Sequence, residues 1–359
     1  MNCARLEYSP EARFLCNLPL GQLPTIEAKT MAIKIRVAAF VLTLICSAGT
    51  AVAQQPSRPP PPAPDSYEGH LAAAKVAAGF DFTGLLARVC IAPSTPVGAD
   101  LTAADRGIWY APPFKVFDNL YWLGTKIHSS WALTDRDGII ILDTLFNYAA
   151  APEIVDGLKK MHLDPKNIKY VIVTHGHSDH DQGAKLLQDT YGARVVMGAP
   201  DWDMIAQGPD MPGGKPRRDI TGVDGQKITV GANTVTLVTT PGHTPGTLSM
   251  LFTVKDHGKP LNVAYSGGTS IAGIVHDVAA LAVYSDSQRK IARAAAATGA
   301  SVILSNHSEF DDAYTKVRLL AARQAGEPHP FDVGTEAVQR YFKVADECAQ
   351  AARMKGTGY

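Results

Sequence analysis

Between Val173 and Gly183 the chain reads VTHGHSDHDQG, placing three histidines and two aspartates within a few positions. Imidazole nitrogen and carboxylate oxygen are the donors that zinc prefers. If the residues before this stretch form a strand, alternation sends His175 and His177 to the same side, and Asp179 and His180 follow at the entry to the next helix. Four potential ligands then leave one strand end. A polar capping loop needs a single oxygen acceptor and has no use for three imidazoles. More than three ligands in one cluster points to two metal ions sharing it. Two more histidines stand in comparable places: His243 in TTPGHTPGT, held between two Pro/Gly turns, and His307 directly after SVILSN. Side chains gathered from strand ends at one rim are how a rigid scaffold builds a metal centre.

The elements that must position these residues can be read from periodicity. NLYWLGT, SSWALTD and GIIILDT predict successive strands, with Asp137-Gly138 turning between the last two. A helix over AAAPEIVDGLKKMHL, a buried strand IKYVIVTH, a helix ending at Gly192 and a strand ARVVMGA follow. KITVGANTVTLVTT predicts a hairpin around Gly231-Ala232-Asn233, and TLSMLFTVKDHGKPLNVAYS a second around His257-Gly258. A long helix from Asp277, the strand SVILSNH and two closing helices complete the chain. Two hairpin-rich sheets with helices outside them imply a layered α/β sandwich.

The 359 residues are 46% hydrophobic, enough for a substantial core, and Lys plus Arg (34) equal Asp plus Glu (34). No basic face for nucleic acid is expected; a small-molecule ligand is. Residues 1–53 read as a signal-peptide region with its start at Met31: Lys34 and Arg36 precede an apolar run from Val37 to Ile45, and Ala51-Val52-Ala53 is a small-x-small cleavage pattern. The run falls short of the roughly 20 apolar residues of a membrane span, so no stable membrane anchor is expected after cleavage, and the mature chain is expected to be periplasmic or secreted. Residues 54–66 form a Pro-rich linker, 67–108 an N-terminal helical extension, and 109–359 the catalytic domain. Cleavage leaves Cys90 and Cys348; they either pair in an oxidising compartment or remain two unrelated buried thiols.

HGHSDH and PGHTPG, in this order and with His307 closing the set, resemble the two metal motifs of the metallo-β-lactamase fold superfamily, over roughly Trp109 to Ala325. The resemblance implies a four-layered αββα sandwich binding two Zn2+ per chain. One ion would be held by His175, His177 and His243 and the other by Asp179, His180 and His307, with a hydroxide bridging them as nucleophile and Asp179 orienting it. Many hydrolases of this superfamily carry an aspartate that bridges both metals; in AYSGGTS, Gly268 stands there. True metallo-β-lactamases lack that aspartate, and five histidines with one aspartate, together with WYAPPFKVFDNLYWLGT, are similar to their third subclass. The expected function is therefore opening of the β-lactam ring, an antibiotic-resistance activity, with hydrolysis of another ester, lactone, thioester or amide as the alternative. Two departures bear on substrate: members usually carry serine where this chain has Gly268, and proline where it has Ser308. Thr269 and Ser270 are candidate substrate contacts, and His128, Trp131, Trp202 and His276 candidates for the rim, beside a mobile loop AQGPDMPGGKPRRD. His70, His162, His257 and His329 are expected in solvent, without function. A flavodiiron protein would need glutamate at His177 and a flavin domain. A structural zinc site would be closed and cysteine-rich.

Overall fold

The computed structural model describes residues 61–91 and 107–355. The expected leader lies outside the described residues. One sheet orders seven strands in sequence: β1 (Phe114–Phe117), β2 (Leu120–Trp122), β3 (Trp131–Asp135), β4 (Gly138–Leu142), β5 (Ile168–Ile172), β6 (Arg194–Gly198) and β7 (Ile220–Gly222). The other orders β12 (Val302–Ser305), β11 (Lys259–Ser266), β10 (Leu248–Asp256), β9 (Asn233–Thr239) and β8 (Lys227–Val230). Antiparallel pairing runs from β1 to β4 and from β8 to β11, whereas β4–β5–β6–β7 and β11–β12 pair in parallel.

Strand alternation divides the apolar side chains into three cores. In β4, Ile140 and Leu142 face the interior between the sheets, where they join Trp131, Val235, Met250 and Leu304. Ile139 and Ile141 face the opposite way, toward Leu158, Leu187 and Trp202 of the flanking helices. An unbroken isoleucine run is what a strand covered on both faces requires. On the far side of the second sheet, Ala264 and Ile303 meet Leu281, Tyr284, Val338 and Tyr341. Three cores between four layers make an αββα sandwich.

The helices of the outer layers include α1 (Tyr67–Ala78), α2 (Thr83–Leu86), α3 (Asp156–Lys160), α4 (Ser178–Asp181), α5 (Ala184–Tyr191), α6 (Ala199–Gln207), α7 (Val278–Thr298), α8 (Ser308–Asp311), α9 (Ala313–Ala322) and α10 (Thr335–Lys355). Ser66 caps α1 by accepting from Gly69 N at 3.0 Å, Asp277 caps α7 through Ala279 and Ala280, and Gly192 ends α5 in left-handed conformation. Of the alternatives left open by the sequence, the structure takes pairing: Cys90 and Cys348 form a disulfide. It ties the segment after α2 to α10. His329 is buried rather than in solvent, because its ring stacks on Phe117 at 4.2 Å and Nε2 lies 2.9 Å from the Val116 carbonyl. His70 is likewise engaged, 2.7 Å from Glu347. Among the described residues, no helix is long and apolar enough to cross a membrane.

Candidate metal centre

The C-terminal ends of β4, β5, β9, β11 and β12 come together at one rim, and the expected ligands lie there. His175 and His177 leave β5, His243 sits in the loop after β9, and His307 follows β12. The first cluster is compact: His243 Nε2 lies 3.0 Å from His175 Nε2 and 3.1 Å from His177 Nδ1. The protons on two of these rings are fixed by backbone carbonyls, which can only accept. His175 Nδ1 donates to Gly267 O at 2.9 Å and His243 Nδ1 to Ser270 O at 2.7 Å. Burial, reinforced by neighbouring imidazoles, pushes His243 down to about 3 and His175 well below its usual range, so both rings are neutral. Their Nε2 atoms therefore face each other as bare lone pairs. That contact is repulsive unless a cation lies between, and ligand atoms on one zinc are separated by roughly 3.0–3.4 Å for Zn–N of about 2.0–2.1 Å.

The second cluster is anionic. Asp179 Oδ2 lies 3.3 Å from both His180 Nε2 and His307 Nε2, which are 3.1 Å from each other. His180 Nδ1 points to the buried Asp143, 3.3 Å from its Oδ2. Against burial, which alone would lower it, the Asp179 and Asp143 carboxylates push His180 up to about 10. A site that holds a proton so firmly is one that favours a cation. The donors of both clusters thus fit metal ions: neutral nitrogens in one, nitrogens with a carboxylate in the other.

Several residues that build the centre carry no ligand signature in the sequence. Asp143 receives Thr174 N at 2.7 Å and Thr174 Oγ1 at 2.9 Å, fixing the peptide just before His175. Asp201 accepts from Gly176 N, Gly246 N and Thr244 Oγ1 at 2.9, 2.7 and 2.7 Å, clamping the first motif loop to the second. Asn306 donates to Gly267 O at 2.8 Å, steadying the carbonyl that orients His175. The only sequence signal for Asp143 and Asp201 is a carboxylate beside a strongly apolar strand or helix.

The expected substrate contacts are redistributed. Trp131 is fully buried between the sheets, edge-on to Phe331, because its position in β3 points inward. Trp202 packs in the outer core, with Nε1 donating to Ile220 O at 3.0 Å. Thr269 is buried, its hydroxyl 2.9 Å from Ser266 Oγ and 3.0 Å from Tyr341 OH. None of these three lines a rim. Ser270 contributes its carbonyl to His243. His276 is exposed. His128 is buried beside the second cluster, 3.4 Å from Asp179 Oδ2. The Gly/Pro-rich loop does border the motif: Gly208, Pro209 and Met211 line a cleft of about 240 Å³ with Gly176 and Ser178.

Residues 123–296 match the family described as the Metallo-beta-lactamase superfamily, and the chain carries a domain of that superfamily with two groups of side chains that could hold a metal ion, His175 with His177 and His243, and His128 with Asp179 and His307. Solved structures similar to it include BJP-1, a subclass B3 metallo-beta-lactamase of Bradyrhizobium japonicum, at 27% identity and a TM-score of 0.56 over 66% of this chain and 92% of that one. FEZ-1 of Legionella gormanii, at 22% identity and a TM-score of 0.55 over 65% and 91%, shares the fold. Among curated proteins, a hydroxyacylglutathione hydrolase of Acidiphilium cryptum is 35% identical over 85 residues, which are 24% of this chain and 31% of that protein. The alkyl/aryl-sulfatase BDS1 of Saccharomyces cerevisiae is 38% identical over 73 residues, 20% and 11%. The chain thus spans less than a third of the length of these two curated relatives.

Proposed function

We propose that the protein is an exported dinuclear zinc hydrolase that opens β-lactam rings with water as the nucleophile, an antibiotic-resistance activity. The observation that carries the hydrolytic reading is the approach of His175 Nε2 and His243 Nε2 to 3.0 Å, set beside a carboxylate-bearing second cluster. Zinc at such a centre lowers the pKa of a bound water toward ~7 and polarises an acyl carbonyl. The chain's own groups supply order. Gly267 and Ser270 carbonyls hold two imidazoles with their lone pairs inward. Asp179 orients the attacking water by accepting its hydrogen bond. His177 is the exposed member of the first cluster and so lies nearest an incoming substrate.

The β-lactam assignment is supported by the subclass B3 neighbour and by Gly268. A Cβ built there would stand 2.7 Å from His243 Cβ and 2.9 Å from Thr247 Cγ2, so the position has room neither for a bridging carboxylate nor for the serine usual in the third subclass. The local identity to a hydroxyacylglutathione hydrolase favours thioester hydrolysis as the second reading. Export to the periplasm or beyond is supported by the leader pattern and by the disulfide, which suits an oxidising compartment.

The test is a substrate panel on the zinc-loaded mature protein, with metal content measured alongside. Two zinc ions per chain, hydrolysis of penicillins, cephalosporins and carbapenems, and poor turnover of homoserine lactones and lactoylglutathione are expected. Much higher kcat/KM on the thioester or lactone than on every β-lactam would replace this reading with the second.

A further inference from the structure

His128 stands apart from both metal motifs in the sequence, yet the fold delivers it to the second cluster by backbone pairing. It forms an antiparallel bridge with His307, flanked by Ser129 N donating to Asn306 O at 2.8 Å and Ser308 N donating to Ile127 O at 2.7 Å. A tight turn fixes the same segment. Thr125 Oγ1 accepts from His128 N at 2.9 Å, and Thr125 N donates to His128 O at 2.7 Å. The position of the ring is therefore set by the main chain on both sides.

The ring is only 2% exposed and sits among aromatic neighbours, with centroids 5.2 Å from Phe146, 5.5 Å from Trp109 and 4.8 Å from His307. An apolar side chain would fill such a place without penalty. A buried imidazole calls for partners for its polar atoms. Nδ1 has no hydrogen-bond partner. Nε2 is aimed at Asp179 Oδ2, at 3.4 Å. That oxygen is also 3.3 Å from the Nε2 atoms of His180 and His307. Three imidazole nitrogens crowd one carboxylate oxygen, each farther away than the roughly 2.9 Å of an ordinary N–H···O hydrogen bond. They stand instead at the separation of atoms that share an ion. The His128 ring is 4.8 Å from that of His307 but 6.3 Å from that of His180, and its ligand atom groups with those of Asp179 and His307, all within 4.8 Å of one another.

We propose that His128 is a fourth protein ligand of the second metal ion, completing a set with Asp179, His180 and His307. The inference rests on the dinuclear reading above. It makes the two sites unlike. The first keeps three protein ligands and an open position, as catalytic zinc sites do, whereas the second approaches the closed four-ligand arrangement of structural zinc sites. The second ion is then the more firmly held, and the one with less capacity to take on a substrate atom.

The count of metal-bound imidazoles tests this on the unaltered protein. In zinc-loaded, 15N-histidine-labelled chain, NMR should show six metal-bound imidazole nitrogens rather than five. Replacing the ring with one that suits its aromatic surroundings, His128→Phe, should remove one of these signals and weaken the second zinc equivalent by at least about tenfold in chelator competition, the low end of what loss of even an outer-shell partner costs. The first equivalent should keep its affinity. Cobalt substitution gives a further readout, since the visible absorption of the second ion should change in the variant. Two bound ions with five bound nitrogens, and a His128→Phe protein with unchanged affinities and cobalt spectrum, would overturn this assignment alone. Binding of a single ion by the unaltered protein would overturn the dinuclear reading and the assignment with it.

Discussion

Asp143 shows how much a single side chain outside the metal motifs can decide. It closes β4 with φ of +60°, a conformation that aspartate adopts more readily than most residues. From there its two oxygens reach Thr174 N, Thr174 Oγ1 and the Nδ1 side of His180. Carboxylates behind ligating imidazoles set ring orientation and ligand basicity. Asp143→Ala is expected to weaken the second zinc equivalent about 10- to 100-fold, read by metal competition. It should also destabilise the fold by about 1–3 kcal/mol through the buried Thr174 amide left without an acceptor. Two ions bound with unchanged affinity would show that His180 needs no such support.

At the scale of elements, the helical segment that runs from Asn147 into α3 carries a buried carboxylate, Glu153. Burial pushes it up to about 8, against the opposing pull of Lys160 and the Ala111 N–H. The folded chain therefore keeps a proton that the unfolded chain releases near 4.5. Stability from this group is fully present below that value and is lost as pH rises toward 8. Each tenfold difference in proton affinity between the folded and unfolded chain corresponds to about 1.4 kcal/mol. Glu153→Gln should raise Tm at pH 9 relative to the unaltered protein and flatten the Tm–pH profile between 5 and 9; an unchanged profile would place the carboxyl in water. The elements are unevenly legible in the sequence for reasons of the same kind. The β3–β4 hairpin, β5 and the two hairpins of the second sheet announce themselves by alternation and turn residues. Strand β7 is three residues long and β1 follows Pro112-Pro113, too little pattern to read. Helix α6 is too short to show a clear period, although Pro200 stands in its first turn, where proline is favoured. The six expected ligands are legible because donor chemistry is written in residue type. The ligand role of His128, the Gly267 and Ser270 carbonyls and the Asp201 clamp are not, since pairing register and backbone acceptors leave no mark in composition. Trp131 and Trp202 mislead because a large aromatic near a motif reads alike whether its strand or helix turns it outward or inward.

For the molecule as a whole, the disulfide between Cys90 and Cys348 joins positions 258 residues apart, fastening the segment after α2 onto α10. Cross-links of this kind typically stabilise by about 2–5 kcal/mol. Cys348→Ala is expected to lower Tm by several degrees while leaving metal content unchanged, since both sulfurs lie in the helical layer away from the rim; equal Tm values with and without reductant would mean that the helices hold without it. The rim itself has a mechanical side. Leu248 N donates to Thr174 O at 2.8 Å, and the His128–His307 bridge joins the same two sheets on the other flank, so the metal clusters straddle a seam. The ligands come from both sides of it: His175, His177, Asp179 and His180 after β5, His243 after β9 and His307 after β12. An ion in either cluster is therefore a rivet through two plates. Occupancy at the rim would set how freely the layers shear against each other, and emptying it would soften the whole sandwich along one line rather than merely silence a reaction.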